Sequence, residues 1–362
     1  MDKAVKTIFF FVAVIIVIVF AGNMYFSDFL TPQGGIFLSK DSGTSWQRFG
    51  ALSTGGKITN IDSIEIINNP KDSRILYWGT LGKGIFKSID SGNTWHKLSD
   101  ANAVLDPRAN VYSIAVDPNL PDYQNKIPDR FYLGVLQNGS GKVLKTIDGG
   151  LSFKEVYVSS KQNATVYSVK IDPRNPNIIW AGTSDGLLLK SKDYGETWKL
   201  SQEFGTAINS IILNPSSTSQ MFIGTFSGGI FSSSDGGVSW IDESDGLKDY
   251  QNSRYLEKII IDPWGNLYIA SRFGLLKSSD WGINWKAVSI VFPDDALPVL
   301  DVAFGKSQKD LYVSASNLVF NTKDGGEFWQ IRKLGTTKRV KALYINKDSG
   351  VILAGAGQTN SR

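Results

Sequence analysis

The chain has 362 residues, of which 20% are charged and 12% aromatic, with 36 glycines, a net charge of +4 and no cysteine. The lack of cysteine excludes disulfides, thiolate nucleophiles and zinc–thiolate sites, and the small, dispersed charge gives no indication of a nucleic-acid-binding protein. The glycine and aromatic content is typical of an all-β protein with many tight turns.

An apolar segment lies near the N-terminus. Residues 8–26 contain Asn23 as their only strongly polar member, and Lys3 and Lys6 precede them. As a helix these 19 residues span about 28 Å, which is enough to cross a bilayer core. The positive-inside rule then predicts a cytoplasmic N-terminus and an extracytoplasmic remainder. The alternative is a signal peptide cleaved after Ala21, which would give a secreted protein.

An eight-residue motif, Ser/Thr-x-Asp-x-Gly-x-x-Trp/Phe, recurs seven times between residues 39 and 329. Successive motifs are 42 to 58 residues apart, a period in the range of propeller blades rather than of short solenoid repeats. The aspartates of the seven motifs are Asp41, Asp90, Asp148, Asp193, Asp235, Asp280 and Asp324.

Each motif is preceded by a repeated pattern of strands. Short β-branched runs ending in Asp-Pro or Asn-Pro, such as residues 111–118, 166–173 and 208–215, predict a first strand and a turn. A second apolar strand closes on Gly or Ala, and a third strand leads into the motif. The residues from the Trp onward form the fourth strand. Each repeat is therefore predicted to be a four-stranded meander, with strands A to D and the motif at the C–D hairpin.

The two ends of the repeat array are complementary. The first motif, within residues 35–49, lacks A and B strands, and the last A and B strands, near residues 340–356, lack C and D strands. Joining them gives a seven-bladed β-propeller with a composite last blade, whose closure removes open sheet edges. The predicted organisation is an N-terminal transmembrane anchor at 1–26, a linker at 27–33 and an all-β propeller at 34–362.

The repeated aspartates are expected to be structural. In a tight hairpin an Asp carboxylate accepts hydrogen bonds from the backbone of its own turn, and Gly supplies a positive φ. The aromatic residue that follows packs against the sheet. A motif that is repeated in every blade is typical of a structural role, whereas an active site occurs once.

These seven motifs resemble the Asp-box, or BNR, repeat of sialidases, sortilin-type receptors, xyloglucanase-like glycosidases and photosystem II assembly-factor propellers. The resemblance covers about residues 34–356 and implies the propeller fold. It also implies that the boxes lie on the blade periphery, away from the ligand face.

No enzyme is predicted. The sequence lacks the Arg-Ile-Pro signature of sialidases, and the acids Glu257 and Asp301 are interpreted as ordinary strand residues. A glycosidase needs a paired acid and base at a defined separation. His96 is the single histidine, and it is interpreted as an exposed strand residue rather than a metal ligand or a base. We therefore predict no catalytic residue, no metal and no cofactor.

A binding surface is expected on the face that carries the D–A and B–C loops, since long loops on a rigid scaffold commonly carry function. Its aromatic and arginine residues suit an interface, with packing at the loop bases as the alternative. The candidates are Phe226, Arg272, Phe273, Arg108, Tyr250, Arg254 and Tyr255. A basic cluster, interpreted as solvated surface with phosphate or lipid-headgroup contact as the alternative, comprises Arg332, Lys333, Lys338, Arg339 and Lys341.

The sequence thus predicts a membrane-anchored, extracytoplasmic propeller that is a non-catalytic binding or scaffold module, with a protein as its partner and no nucleic acid. One alternative is a glycoside hydrolase or a glycan-binding protein. Another is an assembly factor for a membrane protein complex, as the resemblance to photosystem II assembly factors implies.

Overall fold

A computed structural model describes residues 34–49, 61–118, 129–293 and 297–357. In these residues 28 strands form seven four-stranded antiparallel sheets. The first fourteen strands are β1 (Gly35–Ser39), β2 (Gln47–Phe49), β3 (Asp62–Asn69), β4 (Asp72–Leu81), β5 (Ile85–Ser88), β6 (His96–Lys97), β7 (Asn110–Val116), β8 (Phe131–Gln137), β9 (Ser140–Thr146), β10 (Lys154–Val158), β11 (Val166–Ile171), β12 (Ile179–Thr183), β13 (Leu187–Ser191) and β14 (Lys199–Glu203).

The second half of the chain repeats this arrangement, and a short 3-10 helix, Ser244–Leu247, lies between two of its blades. Its strands are β15 (Ile208–Asn214), β16 (Ser217–Thr225), β17 (Ile230–Ser233), β18 (Ile241–Asp242), β19 (Leu256–Ile261), β20 (Leu267–Ser271), β21 (Leu275–Ser278), β22 (Lys286–Ala287), β23 (Val299–Phe304), β24 (Leu311–Ala315), β25 (Leu318–Thr322), β26 (Gln330–Lys333), β27 (Arg339–Ile345) and β28 (Ile352–Gly357).

Blades 1 to 6 are consecutive meanders, from β3–β6 to β23–β26, and blade 7 has the strand order β27-β28-β1-β2. In blade 7 the two ends of the described chain pair in register, with Phe37 opposite Ala354. The first, innermost strands of successive blades pack against one another around the ring, and β27 packs against β3. The predicted seven-bladed propeller with a composite last blade is confirmed.

Glycines of the second strand allow neighbouring blades to approach closely. A Cβ atom on Gly134 would lie 2.8 Å from the Val166 carbonyl oxygen of the next blade, and one on Gly79 would lie 2.9 Å from the Val111 carbonyl oxygen. Both distances are too short for a carbon atom. A glycine at this position of the second strand therefore lets neighbouring blades pack closely.

The box of blade 3 shows how the repeated motif works. Asp193 Oδ1 accepts hydrogen bonds from the Ser191 hydroxyl (2.8 Å) and the Thr197 amide (2.9 Å). Gly195, at φ +85°, donates its amide to Ser191 Oγ, and the Trp198 indole donates to the Gly195 carbonyl at 3.0 Å. The hydrogen bonds from the Thr197 hydroxyl and amide lower the pKa of Asp193 to about 2.

The same hairpin recurs in all seven blades, and the structural role of the aspartates stays a prediction. In each box the aspartate accepts a hydrogen bond from the hydroxyl of the Ser or Thr two residues before it. The boxes also join blades. The Tyr132 hydroxyl donates to the Tyr194 carbonyl in the next blade's box, and the Tyr312 hydroxyl donates to the Ser42 carbonyl.

The predicted anchor and linker, residues 1–33, lie outside the described residues. Within the described ranges, no helix is long and apolar enough to cross a membrane. The transmembrane segment therefore stays a prediction. His96 differs from its expected exposure because it is half-buried in β6, and burial together with the Lys87 charge lowers its pKa.

Candidate binding site at the channel mouth

One face of the ring carries the D–A loops and B–C turns, and we call it the loop face. Each innermost strand begins at this face and each second strand ends there, whereas the Asp-box hairpins lie at the opposite ends of the blades. A cavity of about 520 Å³ opens where the innermost strands begin, around the ring axis. We call this opening the channel mouth.

Every innermost strand carries a β-bulge at its start. In blade 3 the register shifts between Val166 and Ser168, which leaves Tyr167 as the extra residue. A bulge bends a strand locally and re-aims a side chain. The seven extra residues, all of which line the cavity, are Ile64, Tyr112, Tyr167, Asn209, Glu257, Leu300 and Lys341. The scaffold therefore presents one variable side chain per blade to a common opening.

The residue after the bulge ties its blade to the next one. Glu65 Oε2 accepts the Ile114 amide at 2.6 Å, and Ser113 Oγ accepts the Val169 amide at 3.0 Å. The Ile259 amide likewise donates to the hydroxyl of Ser210 in the preceding blade, at 2.9 Å. These bonds fix the inner strands relative to one another, so the bulged side chains project from a rigid rim.

Asp301 is the residue after the bulge in blade 6, and there the link to the next blade is made by a charged side chain. Its Oδ2 accepts the Leu343 amide of blade 7 at 3.0 Å, and its Oδ1 lies 2.9 Å from Lys258 Nζ in blade 5. Burial alone would lower the pKa of Lys258, but the charges of Asp301 and Glu65 raise it above its ordinary value. Lys258 is thus held as a cation, and Asp301 has both oxygens engaged in structural bonds.

More positively than negatively charged side chains line the cavity. Five cations and two anions line it, namely Lys170, Lys258, Arg272, Arg339, Lys341, Glu65 and Glu257. Narrow openings with low-dielectric walls focus such a field. Lys258 is paired with Asp301, and the remaining four cations still outnumber the two anions, so the channel mouth favours a ligand with negative charge.

An aromatic arc also lines the mouth. The Tyr112 and Tyr167 rings meet edge to face with centroids 5.0 Å apart, and Tyr167 meets Phe226 in the same way at 5.9 Å. All three rings line the cavity. Aromatic surfaces give large contact area with little conformational entropy to lose, which suits a ligand-binding wall.

Two of the seven predicted ligand-face residues, Phe226 and Arg272, line the cavity. The Arg272 guanidinium also stacks over the Tyr255 ring at 4.9 Å, so Tyr255 lies just outside the mouth. Phe273 packs edge to face on Tyr250 at 5.1 Å, beside the apolar core between blades 4 and 5.

The remaining candidates are engaged elsewhere. The Tyr250 hydroxyl donates to the Trp285 carbonyl at 2.6 Å, which makes Tyr250 part of the loop base. Arg254 donates to the Ser244 carbonyl at 3.3 Å. Arg108 is 84% exposed in its side chain and borders a separate cavity formed by the loop between blades 1 and 2.

Most residues of the mouth were not predicted from the sequence. Arg339 and Lys341, predicted to belong to a solvated basic cluster, are half-buried and line the cavity. Glu257, predicted to be an ordinary strand acid, projects from a bulge into the mouth. A signal was present, because Tyr167, Asn209 and Glu257 hold the one position that varies most within an otherwise repeated apolar strand.

In the part of the chain that the structure describes, no group of three or more His, Asp or Glu side chains could hold a metal ion. The seven box aspartates are also separate from the mouth, one per blade, and none lines the cavity. The side chains that line the mouth offer ionic contact, aromatic stacking, hydrogen bonding and the carboxyl groups of Glu65 and Glu257.

No family model matches the chain. A curated relative, xyloglucanase Xgh74A of Acetivibrio thermocellus, is 30% identical over 157 residues, which cover 38% of this chain and 18% of that enzyme. Among solved structures, the GH74 xyloglucanase of Xanthomonas campestris matches 82% of this chain and 51% of its own, with a TM-score of 0.66 and 17% identity. YCF48 bound to a D1 peptide matches 82% of this chain and 93% of its own, with a TM-score of 0.60 and 16% identity.

The fold is thus that of the seven-bladed Asp-box propellers, similar to the xyloglucanase and YCF48 propellers that the sequence resembled. The chain spans about a fifth of the length of the curated relatives that it matches and about half of the xyloglucanase structure.

The prediction that the chain is not an enzyme is contradicted by these relatives, because several of them are xyloglucanases. That prediction was wrong because it relied on missing sialidase motifs and on reading the strand acids as ordinary. The structure instead brings Glu65 and Glu257 into one cavity beside tyrosine rings.

Proposed function

We propose that this propeller binds an extended, acidic polypeptide segment of a protein partner at the channel mouth. The observation that carries the proposal is the composition of the mouth, where four cations besides the Asp301-paired Lys258 outnumber two anions, and the aromatic arc of Tyr112, Tyr167 and Phe226 adds apolar surface. Acidic side chains of the segment would contact Arg272, Arg339 and Lys341, and its apolar side chains would pack on the arc.

A polypeptide ligand suits the dimensions of the mouth and has support among similar folds. A cavity of about 520 Å³ accommodates several residues of an extended chain. YCF48, whose chain is covered over 93% of its length by this one propeller, is a protein solved with a bound peptide. The rigid rim made by the inter-blade hydrogen bonds limits the conformational entropy lost on binding.

The predicted N-terminal anchor belongs to the same proposal. With residues 8–26 in the bilayer and Lys3 and Lys6 on the cytoplasmic side, the propeller lies outside the cytoplasm and is held at the membrane surface. A partner that is itself a membrane protein would then meet the propeller at high effective concentration.

The test uses the full chain in phosphatidylcholine nanodiscs and a fluorescein-labelled twelve-residue peptide of alternating Asp and Leu. We expect this peptide to bind at least tenfold more tightly than its Asn–Leu analogue, measured by fluorescence anisotropy. The double variant R272Q/K341Q should lose that preference. K248Q, which changes an exposed lysine of the loop face outside the cavity, is the matched control. Equal binding of the two peptides would refute the proposal.

A second candidate, a glycan-binding or glycan-hydrolysing site, is favoured by the xyloglucanase relatives and by the carboxylates of Glu65 and Glu257, which line the same cavity as two tyrosine rings. Sugar rings stack on aromatic faces, and glycoside hydrolysis uses a pair of carboxyl groups. If this candidate holds, xyloglucan oligosaccharides release reducing ends with the wild-type chain and not with E257Q. The exposed Glu155 provides the control variant E155Q.

A further inference from the structure

The direction of β1 places the start of the described chain on the loop face. β1 is the third strand of blade 7, and it runs toward the box hairpin at Asp41, so Gly34 lies at its loop-face end. The Gly34 carbonyl accepts a hydrogen bond from the Arg48 guanidinium at 3.1 Å. A Cβ atom on Gly34 would lie 2.5 Å from the Ile61 carbonyl, so Gly34 is packed against the start of blade 1.

This point lies close to the channel mouth. Gly35 pairs with Ala356 in β28, and the next residue of β28, Gly357, pairs with Arg339 of the innermost strand. Two strand spacings amount to about 10 Å. The backbone at the start of β1 therefore lies about 10 Å from the backbone of Arg339, whose side chain lines the cavity.

The predicted linker, fully extended, is only about as long as the propeller is thick. Residues 27–33 are seven residues, which extend to about 25 Å at most. An innermost strand of seven residues, such as β27, already spans about 23 Å between the two faces. A linker that joins the propeller at the loop face would have to cover those roughly 23 Å and also pass around β2, one strand spacing of about 5 Å farther out, to reach the box face, and this path exceeds about 25 Å.

We propose that the loop face is held toward the membrane, so that the channel mouth receives a polypeptide segment that emerges from a bilayer-embedded partner within about 25 Å of the membrane surface. The inference rests on the proposed function and on the predicted anchor, and it adds an orientation and a class of partner segment. The Asp-box hairpins then face away from the membrane.

The lack of native cysteine makes this orientation measurable, since one introduced cysteine gives one labelling site. Blade 7 offers a matched pair of exposed threonines, Thr337 on the loop face and Thr44 in the box hairpin. Blade 4, across the ring, offers Ser227 on the loop face and Val238 in its box hairpin, both exposed. The four variants T337C, T44C, S227C and V238C therefore sample both faces on opposite sides of the axis.

Each variant of the full chain is reconstituted in phosphatidylcholine nanodiscs that carry rhodamine-labelled lipid, and energy transfer from a dye on the cysteine is measured. We expect at least twofold higher transfer efficiency from T337C and S227C than from T44C and V238C. A flexible insertion of twenty Gly and Ser residues between residues 33 and 34 should reduce the difference, because it adds about 25 Å of mean reach.

Equal transfer from both faces, higher transfer from the box face, or a chain that does not enter the nanodisc would each overturn the orientation. The peptide assay on the same nanodiscs separates this inference from the proposed function. Transfer that favours the loop face without peptide binding would refute the peptide ligand alone, and peptide binding with transfer that favours the box face would refute the orientation alone.

Discussion

Lys258 Nζ lies 2.9 Å from Asp301 Oδ1, across the boundary between blades 5 and 6 and at the rim of the channel. Asp301 is 3% exposed and also accepts the Leu343 amide of blade 7, so one carboxylate joins three blades. In other blades the neutral hydroxyls of Ser113 and Ser210 accept the equivalent amide hydrogen bond from the next blade. The Asp301 carboxylate also holds the Lys258 cation at the mouth while it links blade 6 to blade 7.

Removing that carboxylate should destabilise the propeller. In D301A the Leu343 amide loses its acceptor and Lys258 loses its partner, which we expect to lower the free energy of unfolding by about 2 kcal/mol, because the lysine remains partly solvated. Urea denaturation followed by tryptophan fluorescence measures the change. E155A, which removes an exposed ion-pair partner, should shift the free energy of unfolding by less than about 0.5 kcal/mol. A similar loss in both variants would contradict the role of Asp301.

Blade spacing gives a second prediction. G134A places a methyl group 2.8 Å from the Val166 carbonyl, so blades 2 and 3 must separate. We expect a loss of roughly 1–3 kcal/mol in the free energy of unfolding, the usual cost of overpacking. G335A adds a methyl group where no atom lies within 4 Å, and it should leave the unfolding midpoint in urea unchanged. An unchanged midpoint for G134A would show that the blades are not held at this contact.

The boxes predict a pH dependence of stability. Hydrogen bonds from Thr197 lower the pKa of Asp193 to about 2 in the folded chain, so the unfolded chain binds more protons between pH 4 and pH 2. The contribution of Asp193 to stability is therefore present above its unfolded pKa and is lost as the pH falls through about 2.

Thermal unfolding of D193N and wild type should accordingly differ most at pH 6 and converge toward pH 2. D249N, at an exposed aspartate with no hydrogen bond to a described residue, should match wild type at every pH. A gap between D193N and wild type that is constant with pH would show that the carboxylate charge does not stabilise the hairpin.

The sequence predicted the blade count and the composite blade because the Asp-box is local. Ser191, Asp193, Gly195 and Trp198 interact within eight residues, so their spacing alone specifies the hairpin. The channel mouth is different. Whether Glu257 faces a sheet or a channel depends on a one-residue register shift, which moves a side chain to the other face of a strand.

Long-range packing also decided which predicted site residues reach the mouth. Tyr250 and Phe273 have the composition of an interface, but they bury their rings against each other and the blade core. Arg272, next in sequence to Phe273, points to the cavity instead. Residue type alone cannot show whether an aromatic side chain belongs to the core or to a binding surface, because burial of its ring is favourable in both.

The aromatic arc gives the sharpest prediction about binding. Tyr167 touches both Tyr112 and Phe226, so Y167A removes the centre of the apolar wall without disturbing the backbone hydrogen bonds of the rim. We expect the affinity for the Asp–Leu peptide to fall by roughly 5- to 30-fold, or about 1–2 kcal/mol, the usual contribution of a buried aromatic anchor. Y167F keeps the ring and should bind within twofold of wild type in the same anisotropy assay. If Y167A binds as tightly as Y167F, the peptide does not contact the arc and its affinity arises from the cations alone.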